Sequence, residues 1–91
     1  PDVYRFRERH ADPGAWFAAR VGDVIADIEA KGRRLSAYIA ETCPSVGGQI
    51  MLPKGFLADV YQRVRAAGGL CVADEVQTGF GRLGTHFWAF E

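Results

Sequence analysis

The sequence has no surplus of either charge: eleven Lys and Arg residues balance eleven Asp and Glu. It therefore lacks the basic excess of a nucleic-acid binder, and with 48% hydrophobic residues it lacks the polarity of a disordered tail. No apolar run approaches the length of a membrane span, so no membrane association is expected. There are two cysteines, Cys43 and Cys71, and no signal peptide is expected. Sequence leaves a disulfide between them open, but two such thiols are read as small apolar residues in a reducing cytoplasm. Internal repeats, low-complexity segments and linkers are also missing. At 91 residues the chain makes one compact unit at most. A chain this short buries only about two-thirds of its unfolded surface, so a large enclosed site is not expected within it. It starts at Pro1 rather than Met and stops at Glu91 straight after an aromatic cluster, which is read as a piece of something longer. The balanced charge gives little colloidal protection to such a piece on its own.

What is present reads as helix, strand, loop, helix, strand. Residues 1–11 are charged and aromatic without a sustained period, an extended lead-in. Asp12-Pro13 is a helix start, with Asp12 as N-cap and Pro13 where a missing N–H costs nothing. Phe17, Val21, Val24, Ile25 and Ile28 follow at helical spacing as one apolar stripe, and Gly32 fits the C-cap. Leu35–Ala40 is a short apolar run ending at Glu41, and residues 42–52 are a Pro- and Gly-bearing loop. Pro53 is read as opening a second helix, with Leu57, Val60, Tyr61 and Val64 on one face. Gly68-Gly69 ends it, and Leu70–Ala73 is a continuous apolar run leading into Asp74 and Glu75. Helices are expected over roughly 14–31 and 53–67, and strands over roughly 36–41 and 70–75. Strands apolar on both faces that alternate with helices imply an α/β fold, a parallel βαβ unit with helices packed on the sheet. Two strands alone leave edges unpaired, so neighbours outside the chain are implied.

Ligands of open α/β sheets bind beyond the carboxyl ends of the strands, and here both strands end in acids. The bland reading of such an acid is a loop N–H acceptor. Asp74 and Glu75 are adjacent, so their side chains point to opposite faces and only one of them can face a given ligand. Other constellations are weak. His86 with Asp74 and Glu75 matches no metal-ligand spacing, and His10 and His86 are read as surface or packing residues. Gly79-Phe80-Gly81-Arg82 is read as a tight turn before an anion cradle. Trp16, Trp88 and Phe90 are read as core. A free-standing α/β interaction or receiver-like module using Asp74 is the non-enzyme alternative. A receiver needs a further acidic pair on an earlier strand, and no strand before Glu41 supplies one.

Residues 72–84, VADEVQTGFGRLG, resemble the (I/V)-(A/L)-D-E-V-Q-x-G-F-G-R-x-G signature of the class-III (ornithine/GABA-type) aminotransferases, which use pyridoxal 5'-phosphate (PLP) on the fold-type-I architecture. Pro53, Gly55, Phe56 and Leu57 match the family's P-x-G-(F/Y)-L rhythm, the closing FWAFE also fits, and the likeness runs through residues 1–91 as one unit of the PLP-binding large domain. The resemblance implies that Asp74 pairs with the pyridine nitrogen, that Val76 packs on the ring face, that Gln77 lies near the ring's 3-oxygen and that Glu75 is structural. A carboxylate beside the nitrogen favours its protonated form, which makes the ring an electron sink. Glu41 matches the glutamate that opens the family's E-P-x-x-(G/S)-E-G-G loop, here ETCPSVGG, and joins the cofactor-binding set. Val46 replaces the second glutamate of that loop, which speaks against an ornithine- or GABA-like substrate. The form Glu-x-x-x-Ser-x-Gly-Gly-Gln-Ile and the Pro-Asp-x-Tyr-Arg opening are closer to the ethanolamine-phosphate phospho-lyase subgroup. The implied function is amino transfer from an amine or amino acid to a keto acid or aldehyde, in a cytoplasmic homodimer acting on small molecules. The alternative is PLP-dependent elimination of phosphate from a phosphorylated amino alcohol. The resemblance places the family's Schiff-base lysine on a later strand beyond Glu91 and its phosphate loop before Pro1; Lys31 and Lys54, at a helix end and a helix start, are not that lysine. No residue of the chain is expected to be catalytic, and the piece alone is expected to be inactive.

Overall fold

In the computed structural model, residues 11–45, 48 and 50–91 are described. The expectations for the opening segment, for Val46 and for the Gly47 and Gln49 positions of the loop lie outside them. The element order is α1 (Pro13–Ala30), β1 (Ala37–Glu41), α2 (Phe56–Ala66) and β2 (Leu70–Asp74). The strands run parallel in the register Ala37↔Leu70, Ile39↔Val72, Glu41↔Asp74, as the alternation of helix and strand predicts. Asp12 caps α1, its Oδ1 accepting from Ala15 N at 3.0 Å, with Pro13 in the first turn. Gly32 follows α1 in the left-handed conformation, and Lys31 pairs with Asp27 at 2.9 Å.

The core lies between the helices. Ala18 and Ile25 of α1 meet Phe56, Val60 and Val64 of α2, and Tyr38 and Cys71 carry the sheet onto this cluster. Val60 and Val64 are fully buried, which contributes about 1.5–3 kcal/mol apiece. The predicted stripe on α1 needs one correction: Val24 is 59% exposed. The buried line runs Ala18, Val21, Ile25 at i, i+3, i+7, and Val24 is turned about 100° away from Ile25.

Three further expectations change. The second helix begins at Phe56, three residues after Pro53. Phe56 N donates to Pro53 O at 3.1 Å, closing a turn, and Gly55 then takes φ 81°, a left-handed backbone that no helix continues through. The strands are not covered on both faces. Tyr38, Ala40, Cys71 and Ala73 are half-buried on the α2 side, whereas Ile39 is 69% and Leu70 71% exposed on the other. The apolar run is the signature of a two-sided strand, and among the described residues helices cover one side only. Trp16, Trp88 and Phe90 likewise stand outside the core cluster. Trp88 packs edge-on against Phe87 at 4.7 Å, and Phe80 lies 5.3 Å from each of them.

Gly14 couples α1 to the turn before α2. A Cβ there would run into the Lys54 carbonyl oxygen, which is backbone and cannot swing aside. Gly14→Ala is therefore expected to push the helices apart and to destabilise the fold by about 1–3 kcal/mol, against the small gain alanine gives an open helix position. Urea denaturation of the two proteins side by side measures this; an unchanged or raised midpoint would contradict the packing described.

Candidate functional site

The site forms where the two parallel strands end together. Because Glu41 and Asp74 are register partners, their side chains share one face, the face α2 does not cover. Just beyond them is a cavity of about 200 Å³ lined by Glu41, Cys43, Asp74, Val76, Gln77 and Thr78. All four residues singled out from sequence thus meet in one place, although Glu41 and Asp74 belong to different strands. Val76 arrives by a different route from the one expected. The strand stops at Asp74 and Val76 sits in the following turn, 92% exposed, its N–H donating to Asp74 Oδ1 at 3.1 Å.

Glu41 carries both readings of a strand-end acid. Its Oε2 accepts from Ser45 N at 2.7 Å, the loop-acceptor role, while the residue also lines the cavity. Ser45 then reaches across. Its hydroxyl donates to Gln77 Oε1 at 2.6 Å, so one residue ties the carboxylate of the first strand end to the amide beyond the second. With Oε1 engaged, Gln77 has its Nε2 hydrogens left to donate. Sequence reasoning did not select Cys43, Ser45 or Thr78 as site residues. Cys43 follows Glu41 by two positions, and strand-like alternation was a usable signal for it. Ser45 and Thr78 gave no such local sign.

Glu75 turns to the opposite side, as alternation requires. Its carboxylate accepts from Thr42 Oγ1, Thr78 Oγ1, Ala89 N and Phe90 N, at 2.7–3.0 Å. Desolvation pushes its pKa up, but the four bonds from Thr78, Ala89, Thr42 and Phe90 together outweigh that and hold it below the usual 4.5. A carboxyl depressed on folding stabilises the protein fully above its unfolded value and progressively less as pH falls through the folded one. Stability is therefore expected to decline below about pH 4.5, and Glu75→Gln to flatten that acid limb. Thermal unfolding followed from about pH 7 to about pH 3 checks this; parallel curves for the two proteins would contradict it.

The Gly79–Arg82 segment is a tight turn rather than an anion cradle. Gly79 N donates to Glu75 O at 2.9 Å and Gly81 N to Phe87 O at 2.9 Å, so these N–H groups are already used. Among the described residues no group of three or more His, Cys, Asp or Glu side chains forms a metal site. Cys43 and Cys71 are free thiols. No helix among the described residues is long and apolar enough to cross a membrane. A larger hollow of about 410 Å³ lies between the start of α2 and residues 89–91, and none of the four selected residues lines it.

Comparison with known proteins adds four findings. The family model described as aminotransferase class-III matches residues 5–91. The chain is 49% identical over its whole length to an alanine–glyoxylate aminotransferase 2-like protein of Drosophila melanogaster, of which it covers 19%. It is 39% identical, again over its whole length, to ethanolamine-phosphate phospho-lyase homolog 1 of Caenorhabditis elegans, covering 22% of it. Among solved structures, a phospholyase from Arthrobacter in complex with phosphoethanolamine superposes with a TM-score of 0.81 at 35% identity, over 99% of this chain and 22% of that one. The chain thus spans about a fifth of the length of the relatives it matches.

Proposed function

The chain belongs to the class-III aminotransferase family, and from that membership we propose that the protein carrying it is a PLP-dependent aminotransferase in which Glu41, Asp74, Val76 and Gln77 form the ring side of the cofactor site. The observation that carries the reading is the convergence of these four residues on one cavity at the strand ends.

The side chains present fit a pyridine ring. A carboxylate suits a protonated ring nitrogen, an exposed aliphatic side chain suits the ring face, and an amide with free N–H groups suits the 3-oxygen. The described wall offers no cation, so it does not fit the phosphate of the same cofactor. When bound, PLP supplies an electron sink for the bonds at the substrate's amino-bearing carbon. Asp74 holds the proton on the ring nitrogen, because an anion within hydrogen-bond reach stabilises the cation. Val76 would pack on the ring face and exclude water from it. Gln77 donates toward the 3-oxygen, in an orientation set by Ser45. Glu41 holds Ser45 in place through its backbone N–H.

In this proposal residues 1–91 form one unit of the large cofactor-binding domain. The protein acts on a small amine or amino acid as a homodimer, and its free thiols suit the reducing cytoplasm. The test uses the full-length protein. Reconstituted with PLP, it is expected to show the cofactor's shifted absorbance and to transfer an amino group from alanine to glyoxylate. A protein that takes up no PLP would end the proposal.

A second reading, PLP-dependent elimination of phosphate from a phosphorylated amino alcohol, draws on two observations. The loop ETCPSVGG has Val46 where the aminotransferase pattern has its second glutamate, and the phospholyase superposition reaches 0.81. Phosphate release from phosphoethanolamine, with no amino transfer to glyoxylate, would decide for it.

A further inference from the structure

The four selected residues all stand on the cavity side of the strand ends, yet most of the hydrogen bonding in this region lies behind them. It converges on Glu75. Oε1 accepts from the Thr42 hydroxyl at 2.8 Å and from Phe90 N at 3.0 Å. Oε2 accepts from the Thr78 hydroxyl at 2.7 Å and from Ala89 N at 2.9 Å. A carboxylate offers about four lone-pair directions, and here all of them are used.

The donors come from three separate pieces of chain, and two of these run directly into the cavity wall. Thr42 sits between Glu41 and Cys43, and Thr78 lines the cavity next to Gln77. Glu75 itself is flanked by Asp74 and Val76. The third piece, Ala89–Phe90, closes the turn that Gly81 N and Phe87 O begin. Thr42 and Thr78 are both buried polar residues, so their hydroxyls depend on a protein acceptor.

We infer that Glu75 is the positioning residue of the cofactor site: a single ionised carboxylate that holds Glu41, Asp74, Val76 and Gln77 in register from the face of β2 opposite the ligand. The inference rests on the cofactor reading above and adds to it a residue that does not touch the ligand. Charge is essential to the device. Hydroxyls can turn to donate or accept, but the Ala89 and Phe90 N–H groups can only donate. An amide at position 75 replaces one acceptor oxygen with an NH₂ group, which then faces either Ala89 N–H or Phe90 N–H. At least one of those bonds is lost, and the chain segment behind it is released. Hydrogen bonds to a charged group are stronger than those to a neutral amide, so the geometry of the wall is held firmly only while the carboxylate is present.

The experiment compares full-length wild type with Glu75→Gln, Thr42→Val and Thr42→Ser. PLP affinity is measured by titration well below each variant's melting temperature, so that only folded protein is compared. Amide hydrogen exchange at Ala89 and Phe90 is measured in the apoprotein. Glu75→Gln is expected to weaken PLP binding roughly tenfold and to speed exchange at one or both amides. Thr42→Val removes one donor at nearly constant volume and is expected to weaken binding less, whereas Thr42→Ser restores the hydroxyl and most of the affinity. A merely structural clamp would lower the melting temperature and speed exchange while leaving the PLP affinity of the folded protein unchanged, and that result overturns the inference. Should Glu75→Gln not fold, wild-type affinity in Thr42→Val overturns it instead. Wild type that takes up no PLP overturns both this inference and the functional reading; wild type that binds while Glu75→Gln binds equally well overturns this one alone.

Discussion

Asp74→Asn in the full-length protein is expected to lower the rate of amino transfer by about two to three orders of magnitude, which corresponds to about 3–4 kcal/mol of lost transition-state stabilisation. The substitution keeps shape and hydrogen-bonding reach but removes the charge that holds a proton on the ring nitrogen. Its effect on folding should be small. Among the described residues the Asp74 carboxylate accepts one hydrogen bond, from Val76 N at 3.1 Å, and an asparagine oxygen accepts it equally well. Glu75, although adjacent, does not serve as a neutral control because its carboxylate carries four hydrogen bonds. Glu29→Gln on the exposed side of α1 is the neutral comparison. The contrast between the two neighbouring acids is then informative in its own right. Rate lost in Glu75→Gln should return as PLP is raised to saturation, because affinity is what it damages. Rate lost in Asp74→Asn should not return, because the electrostatics of the loaded site are altered. A fully active Asp74→Asn protein, or two variants that respond identically to added PLP, would remove Asp74 from its assigned role.

The 91-residue chain by itself is expected to bind PLP only weakly, with a dissociation constant of about 1 mM or more, no better than about −4 kcal/mol. The described cavity wall carries two carboxylates, Glu41 and Asp74, and no cation, so the cofactor's phosphate is repelled rather than held. Val76 is almost wholly exposed and offers a ring only one apolar contact surface. The residues proposed to face the ring are present, but recognition of the ring is a small share of the binding energy a phosphorylated ligand needs. Titrating PLP while following the amide resonances of Asp74, Val76 and Gln77 measures this. Saturable shifts at micromolar concentration, confined to those residues, would show that the ring side suffices.

Several features of this protein were legible in the sequence because they depend on residues that are close along the chain. The Asp12 cap, the Pro13 start and the Gly32 stop of α1 involve a few consecutive positions, and they are where local chemistry puts them. The two apolar runs became strands, and the helix between them made those strands parallel. Alternation alone separated Asp74 from Glu75, one to the cavity and one away from it. The DEVQ-x-GFGR resemblance then attached a chemistry to the cavity side, which no period or propensity contains.

The rest was decided by tertiary contacts between distant residues. Thr42 and Glu75 are 33 positions apart, Ser45 and Gln77 are 32, and each pair meets only because β1 and β2 lie side by side in one register. A hydroxyl that will donate across such a gap looks, in the sequence, like any other loop serine or threonine. The same holds for Gly14, whose importance comes from the Lys54 carbonyl pressed against it and not from its own helix. Burial shows the limit most clearly. The apolar character of Ile39 and Leu70 marks them as strand residues that bury well, but whether they are buried depends on what packs over them. In this chain α2 covers one face of the sheet and nothing described covers the other. Period and propensity are properties of contiguous residues and so belong to the sequence; register, clamping and coverage are properties of docked surfaces and exist only in the folded molecule.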